Sequence, residues 1–467
     1  MDSVVSAPEE AILEQLRRMT LVLEELAGDW TLFERLLPDE RDRLRRAIAR
    51  AHEPDRAIRR KRARNRRADA LRRDDLALHE TGIRALRRRP VFTTPNVFLP
   101  EQLGELAHAT GPRVCYTCKA AYARIHHFYD QLCPECAAFN FAKRTELADL
   151  RGRVALLTGG RVKIGYQAGL KLLRSGARLI VTTRFPRNGA SRYAQEPDFD
   201  DWRDRLEIVG LDLRQTPAVE AFCRELVSTR DRLDFIINNA CQTVRRPPEF
   251  YAHMMAEESA THALLGAAPS ALLSQVRLVP EDLVDQRHLF PRGLLDQDLQ
   301  QVDLRNRNSW RLLLAEVPTI ELLEVQLVNA IAPFVINARL KPLMLRTPGR
   351  DKHIVNVSAV EGQFYRTAKT TRHPHTNMAK AALNMMTRTA ATDYYNDGIH
   401  MNSVDTGWIT DEDPVDIAAR KTADQRFHPP LDIVDGAARI LDPIITGIKT
   451  GEHVWGQFLK DYRPAAW

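Results

Sequence analysis

Apolar positions recur at helical spacing from the start of the chain. Ile12, Leu13, Leu16, Met19, Val22, Leu23 and Leu26 mark one face of an amphipathic helix near residues 8–27. Ser6 followed by Glu9 has the form of a capping box, and Pro8 suits the first helical turn. Past Pro38 the apolar positions thin out to Leu44, Ile48, Ile58, Leu71, Leu76 and Leu78, too few to bury a side, so an exposed helical arm is expected. Residues 91–114 read as a Pro-punctuated connector. From Leu150 the period changes. RVALLTGGRVKIGYQAGLKLLRSGARLIVTTRF predicts a strand over residues 154–157, a glycine turn, a helix through 167–174 and a second buried strand over 177–182.

Composition adds bounds to this pattern. The chain has 467 residues, 44% hydrophobic and 28% charged, enough for a large core and several domains. The expected division is a helical segment 1–40, an arginine-rich helical arm 41–92, a cysteine module 93–148 and an α/β domain 149–467 with an insertion at about 245–320. No uninterrupted apolar run approaches the roughly 18 residues of a membrane span, and the start lacks the basic and apolar regions of a signal peptide. No membrane partner and a cytoplasmic location are therefore expected.

The formal net charge of +7 is unevenly spread: residues 41–90 hold 19 Arg and Lys against 7 Asp and Glu, a net of +12, leaving −5 for the rest. Dense arginine suits phosphate neutralisation, so nucleic acid or another anionic partner is one reading of this arm. The segment lacks the interleaved aromatics that stack bases, and a solvated helix or a subunit contact is the other reading.

Four of the six cysteines fall in two pairs, CYTC (Cys115, Cys118) and CPEC (Cys133, Cys136), separated by fourteen residues. Four thiolates at this spacing fit one tetrahedral zinc ion with no open position, which makes the expected role structural. A redox dithiol needs one pair only. His126 and His127 lie between the knuckles, where a complete cysteine shell leaves them as ordinary or partner-contacting residues.

The glycine turn carries the candidate chemistry, because a helix N-terminus with free amides accepts a pyrophosphate and glycine permits close approach. With it come further ordered motifs: GLDLR, DFIINNAC, QLVNAIAPF, HIVNVSAVEG and NMAKAALNMMTRTAATDYYNDGIHMNSVDTGWIT. Together they resemble the short-chain dehydrogenase/reductase family over about 150–467. The resemblance implies a Rossmann-like, doubly wound parallel sheet and a homo-oligomer. It also implies a cofactor site formed by Thr158, Gly159, Arg161, Lys163, Ile164 and Gly165 of the turn, Asp212, Asn239 and Ala240, Lys380, and Gly407 and Thr410. Lys163 stands where the family has its middle glycine, and Cys241 where it has the glycine after Ala240. Arg184 ends the second strand with no acid nearby, so a 2′-phosphate and NADP(H) are expected.

The same resemblance makes Asn329, Ser358 and Lys380 catalytic, acting on a small-molecule substrate that the sequence does not identify. The family's tyrosine is replaced by Thr376, four residues before Lys380, and an aliphatic hydroxyl is far less acidic than a phenol. Three donors are therefore weighed for the proton, all in the loop before Thr376: Tyr365 first, His375 second, and His373. If none acts, the domain binds a nucleotide without turnover and serves as a sensor or scaffold.

Overall fold

The computed structural model describes residues 7–29, 31–52, 56–89, 92, 94, 108–260, 287–291, 293–365, 369–410, 412–425 and 428–467. Ser6 of the expected cap, most of the connector and residues 261–286 of the insertion lie outside them. The chain forms two units, Met1–Asp75 and Leu76–Trp467.

In the first unit the predicted helix runs Ala7–Gly28, and its described apolar stripe is exposed from Ile12 to Leu23. A helix over Pro38–His52 follows, and Phe33, with Arg45 over its ring at 4.9 Å, is buried. The arginine-rich helix runs Arg56–His79.

The second unit is built on an eight-stranded sheet. Its strands are β3 (Val154–Thr158), β4 (Arg178–Thr183), β5 (Leu206–Gly210), β6 (Phe235–Asn238), β7 (Lys352–Ser358), β8 (Ile399–Asp405), β9 (Phe458–Lys460) and β10 (Arg463–Ala465); β1 (His108–Val114) and β2 (Ala121–Arg124) form a separate hairpin. The order β10-β9-β8-β7-β6-β3-β4-β5 is parallel throughout except for the terminal β10. This is a doubly wound sheet, with its switch point between β3 and β6, where such folds bind ligands.

The strands read as continuous apolar runs because both sheet faces are covered, and successive residues serve opposite cores. Ala155, Leu157, Phe235, Ile237 and Val355 join one cluster with the Lys163–Arg174 and Ile433–Thr450 helices. Leu156, Ile236 and Ile354 join the other with the Thr216–Thr229 helix and the long apolar helix spanning Thr319–Met344. By length and mean hydropathy that last helix is the one among the described residues that satisfies the test for a membrane span, although no uninterrupted apolar run does. Ala332, Ile336, Leu340, Leu343 and Met344 on it cover the sheet, which explains the composition without a membrane.

The cysteine segment docks on the same unit. Cys115, Tyr129, Leu132 and Cys133 share an apolar cluster with Ile409, Leu431 and Ile433. Beside it the buried Arg144 guanidinium donates bidentately to Asp432 at 2.7 and 2.9 Å and to Asp435 at 2.9 Å. Burying this charge is tolerable because both carboxylates sit at one helix start, where Asp432 and Asp435 also form a reciprocal cap.

Candidate cofactor and active site

The loop after β3 is held by short-range packing that leaves little room for substitution. Gly159 has φ +71°, and a Cβ there would lie 2.9 Å from the Ala240 backbone. At Gly165 a Cβ would meet the Gly159 carbonyl oxygen at 2.2 Å and Asn239 Nδ2 at 2.4 Å. Asn239 locks the turn by donating from Nδ2 to the carbonyls of Thr158 and Gly159, both at 3.1 Å, and the Ala240 amide donates to Thr158 Oγ1 at 3.0 Å. Lys163, standing where the resemblance places glycine, keeps a left-handed backbone with φ +54°. That conformation costs a side-chain-bearing residue roughly 1–2 kcal/mol, a strain typical of functional sites.

A cavity of about 390 Å³ opens beside this turn. Of the expected cofactor residues, Gly159, Arg161, Lys163, Ile164, Gly165, Arg184, Asp212, Asn239, Ala240 and Thr410 line it. Thr158 lies buried at the end of β3, and Gly407 is outside the lining. Its basic side is organised. Arg161 is buried and donates to Asn188 Oδ1 at 2.8 Å and Gln300 Oε1 at 2.7 Å; burial, with Arg192 and Arg184 nearby, brings it down to about 10. Arg184 donates to the Tyr251 hydroxyl at 2.8 Å. The acid of Glu412 raises Lys163 above its ordinary value, more than burial lowers it, and Thr410 Oγ1 donates to Glu412 at 2.7 Å. The Asp212 carboxylate is taken by Arg214, at 2.6 Å to Nη2; burial works against ionisation there, but the arginine holds it below the usual carboxylate range.

Sequence reasoning missed Tyr251, Gln300, Gln301 and Arg246, which come from the insertion and wall the cofactor side of the cavity. The insertion also anchors to the strand-end region through Glu258, whose carboxylate accepts from the amides of Arg187 at 2.9 Å and Asn188 at 3.0 Å. No sequence signal marks Tyr251, Gln300 or Glu258, whose partners Arg184, Arg161 and Arg187 lie 67, 139 and 71 positions away.

The catalytic candidates lie outside the lining of that cavity. Ser358, ending β7, donates to Asn384 Oδ1 at 2.6 Å, and Lys380 Nζ donates to the Val357 carbonyl at 2.8 Å. Asn329 sits in a π-helical turn, Leu327–Ile331, and pairs twice with the Gln242 backbone, accepting at 2.7 Å and donating at 3.2 Å. Such π-turns often mark functional positions, and this one ties the helix to the loop after β6. Thr376 is buried one turn before Lys380, and its hydroxyl is without a partner among the described residues. His375, also buried, places Nε2 3.2 Å from Glu321 Oε1 and leaves Nδ1 without a partner there. Tyr365, three residues after the Val360–Gly362 turn, is 91% exposed.

Elsewhere, Cys115, Cys118, Cys133 and Cys136 bring their sulfurs within 4.8 Å of one another, with Cys118 and Cys133 at 3.7 Å. Four sulfurs around zinc at a 2.3 Å bond length would stand about 3.8 Å apart, so the donor set fits the ion. Pro134 begins the Pro134–Thr145 helix, with Cys133 at the cap and Cys136 in its first turn. His126 is used structurally, its Nδ1 accepting from the amides of Phe128 and Tyr129 at 3.1 and 3.4 Å.

Comparison with known proteins completes the picture. Residues 153–268 match the family model described as short chain dehydrogenase, and residues 311–429 match that described as Enoyl-(Acyl carrier protein) reductase. The chain is 33% identical over 363 residues to Uncharacterized protein R665 of Acanthamoeba polyphaga mimivirus, covering 75% of each. It is 34% identical over 105 residues to Dehydrogenase/reductase SDR family member 13 of Bos taurus, covering 22% of this chain and 28% of that one. Among solved structures, a short chain dehydrogenase from Burkholderia cenocepacia J2315 in complex with NADP has a TM-score of 0.43 and 18% identity, over 67% of this chain and 96% of that one.

Proposed function

Because the chain belongs to the short-chain dehydrogenase/reductase family, we propose that it is an NADP(H)-dependent oxidoreductase acting on a carbonyl, alcohol or unsaturated substrate. The observation that carries this reading is the glycine turn packed against Asn239 beside a cavity whose far wall holds Arg184 and Arg161. In it the turn and the start of the Lys163–Arg174 helix hold the pyrophosphate, Arg184 meets the 2′-phosphate, and Lys380 holds the nicotinamide ribose. The nicotinamide supplies or accepts the hydride. Ser358 orients the substrate oxygen by exchanging its bond to Asn384 for one to the substrate, and Asn329 keeps the helix and the loop after β6 in register.

For the missing phenol we assign the His375–Glu321 pair. A carboxylate on one ring nitrogen orients imidazole and stabilises its cation, leaving the other nitrogen to move a proton. The unpartnered Thr376 hydroxyl, one turn before Lys380, is placed to bind the substrate or a relaying water. The test is a titration with NADPH and NADH followed by an assay of hydride transfer across a carbonyl and alcohol panel. Tighter NADPH binding with turnover supports the reading. Binding with no turnover on any substrate leaves a nucleotide-binding scaffold and defeats the catalytic assignment.

The cysteine cluster is read as a structural zinc site, with one zinc per chain lost in Cys118→Ser and Cys136→Ser. Thiols kept free for metal favour a reducing compartment, so a cytoplasmic location is part of this reading. The 41–90 arm is assigned to a polyanion such as nucleic acid, measured by the salt dependence of binding, and self-association is checked by light scattering.

A further inference from the structure

At the opposite end of the sheet from the cofactor turn, three histidines converge. His353 and His400 are the second residues of β7 and β8, paired in register on neighbouring strands, and His453 reaches them from the segment after the Ile433–Thr450 helix. One nitrogen of each lies within 4.8 Å of the others, with His353 Nε2 and His453 Nδ1 2.9 Å apart. His400 and His453 stack and His353 is tilted against both, with centroids 4.7 to 5.2 Å apart.

Three further features distinguish this group from a chance cluster. His400 Nδ1 lies 3.2 Å from the Lys352 carbonyl, which can only accept, so the proton is on Nδ1 and the Nε2 lone pair is free. Donation of the other ring N–H to a carbonyl is how ligating histidines are usually oriented. Gly447 keeps the space beside the ligand atoms open, since a Cβ there would stand 2.5 Å from His453 Nδ1 and 3.1 Å from His353 Nε2. The nearest carboxylate, Asp351, is occupied by Arg153, at 2.9 Å to Nη1, so no acid in the group calls for imidazolium. Burial lowers all three below the ordinary histidine value, and the neighbouring rings add to this for His353 and His400.

We propose that His353, His400 and His453 form a second metal site, taking a divalent imidazole-preferring transition ion such as Zn²⁺ with three neutral nitrogens and a water on the half-buried His453 side. Three nitrogens and one open position suit zinc, and soft thiolate ligands are not needed. Five residues of strand separate His353 from Ser358, roughly 16 Å, so the ion does not touch the substrate. Its effect is to staple the segment carrying His453 to the two strands. The inference is independent of the proposed reaction.

Equilibrium dialysis of the full chain against buffered Zn²⁺, with metal counted per chain, tests it. Parental protein should hold one ion more than His453→Gln, which leaves the four cysteines intact. Gly447→Ala should weaken that additional ion at least about tenfold, and Zn²⁺ should raise the melting temperature of the parent beyond that of His453→Gln. Equal counts and affinities in parent and His453→Gln overturn the proposal. Should His453→Gln fail to fold, Co²⁺ titration of the parent decides. Ligand-field bands that continue to grow after the thiolate charge-transfer band saturates mark the imidazole site, and their absence overturns it.

Discussion

The two ends of the carboxyl edge of the sheet differ sharply. Around β3, β4 and β6 the structure is open, cation-lined and strained in the right places: Gly159, Gly165, Asn239, Lys163 and Arg184 surround one cavity. Around β7 and β8 the polar side chains are turned inward, Ser358 onto Asn384 and Lys380 onto the Val357 carbonyl, with Thr376 buried one turn before Lys380. Backbone shape, which a few glycines specify, makes the first region. Side-chain pairing across the fold makes the second.

The strongest way to break the first half is Gly165→Val. With no room for a Cβ beside the Gly159 carbonyl, nucleotide binding should be lost; calorimetry showing parental NADPH affinity would mean that the turn does not hold the pyrophosphate. On the other side, His375→Gln should cut turnover by about 10²–10⁴-fold with little change in NADPH affinity. Turnover at the parental rate would free His375 of its role. Smaller is the effect of Arg184→Ala, which should weaken NADPH by about 10- to 100-fold and leave NADH nearly unchanged. A constant ratio between the two cofactors would place the 2′-phosphate elsewhere.

Smaller again is an effect on stability. Asp405, in register with Ser358 and fully buried, is pushed up to about 6 by burial, against the pull of Lys460. The folded state thus holds this proton more tightly than the unfolded chain, whose carboxyl titrates near 3.8. The stabilisation it contributes is present below about pH 4 and lost as pH rises through about 6. Asp405→Asn should then exceed the parent by about 2–3 kcal/mol at pH 7.5 and by little at pH 4, as followed by denaturant unfolding. Last, Tyr365→Phe should leave turnover at the parental rate, because the side chain stands in solvent. A loss of rate would return the phenol to the site through movement of its loop.

The halves also differ in how far residues alone reveal them. The strand, turn, helix and strand from Val154 to Thr183 follow one another within thirty residues, so periodicity and glycine placement predict them, while the lock of the turn by Asn239 comes from 80 positions away. The same holds for the paired cysteines, whose knuckles are local. Tyr251 and Gln300 are different, as they reach Arg184 and Arg161 across 67 and 139 positions. Nor does the sequence tell how far Tyr365, close to Ser358 along the chain, stands in solvent.

What the sequence determined by itself is therefore whatever short-range sterics and periodicity encode: the doubly wound sheet, the glycine turn, the order of the motifs and the four-sulfur spacing. The tertiary structure alone decided which side chains share a space. Arg144 finds Asp432 and Asp435 across nearly 290 positions, His375 finds Glu321 across 54, and His353 finds His453 across 100. These pairings follow from sheet order and helix packing. The physical reason is that burial makes a polar group costly unless a partner is present, and only the folded chain brings that partner within reach.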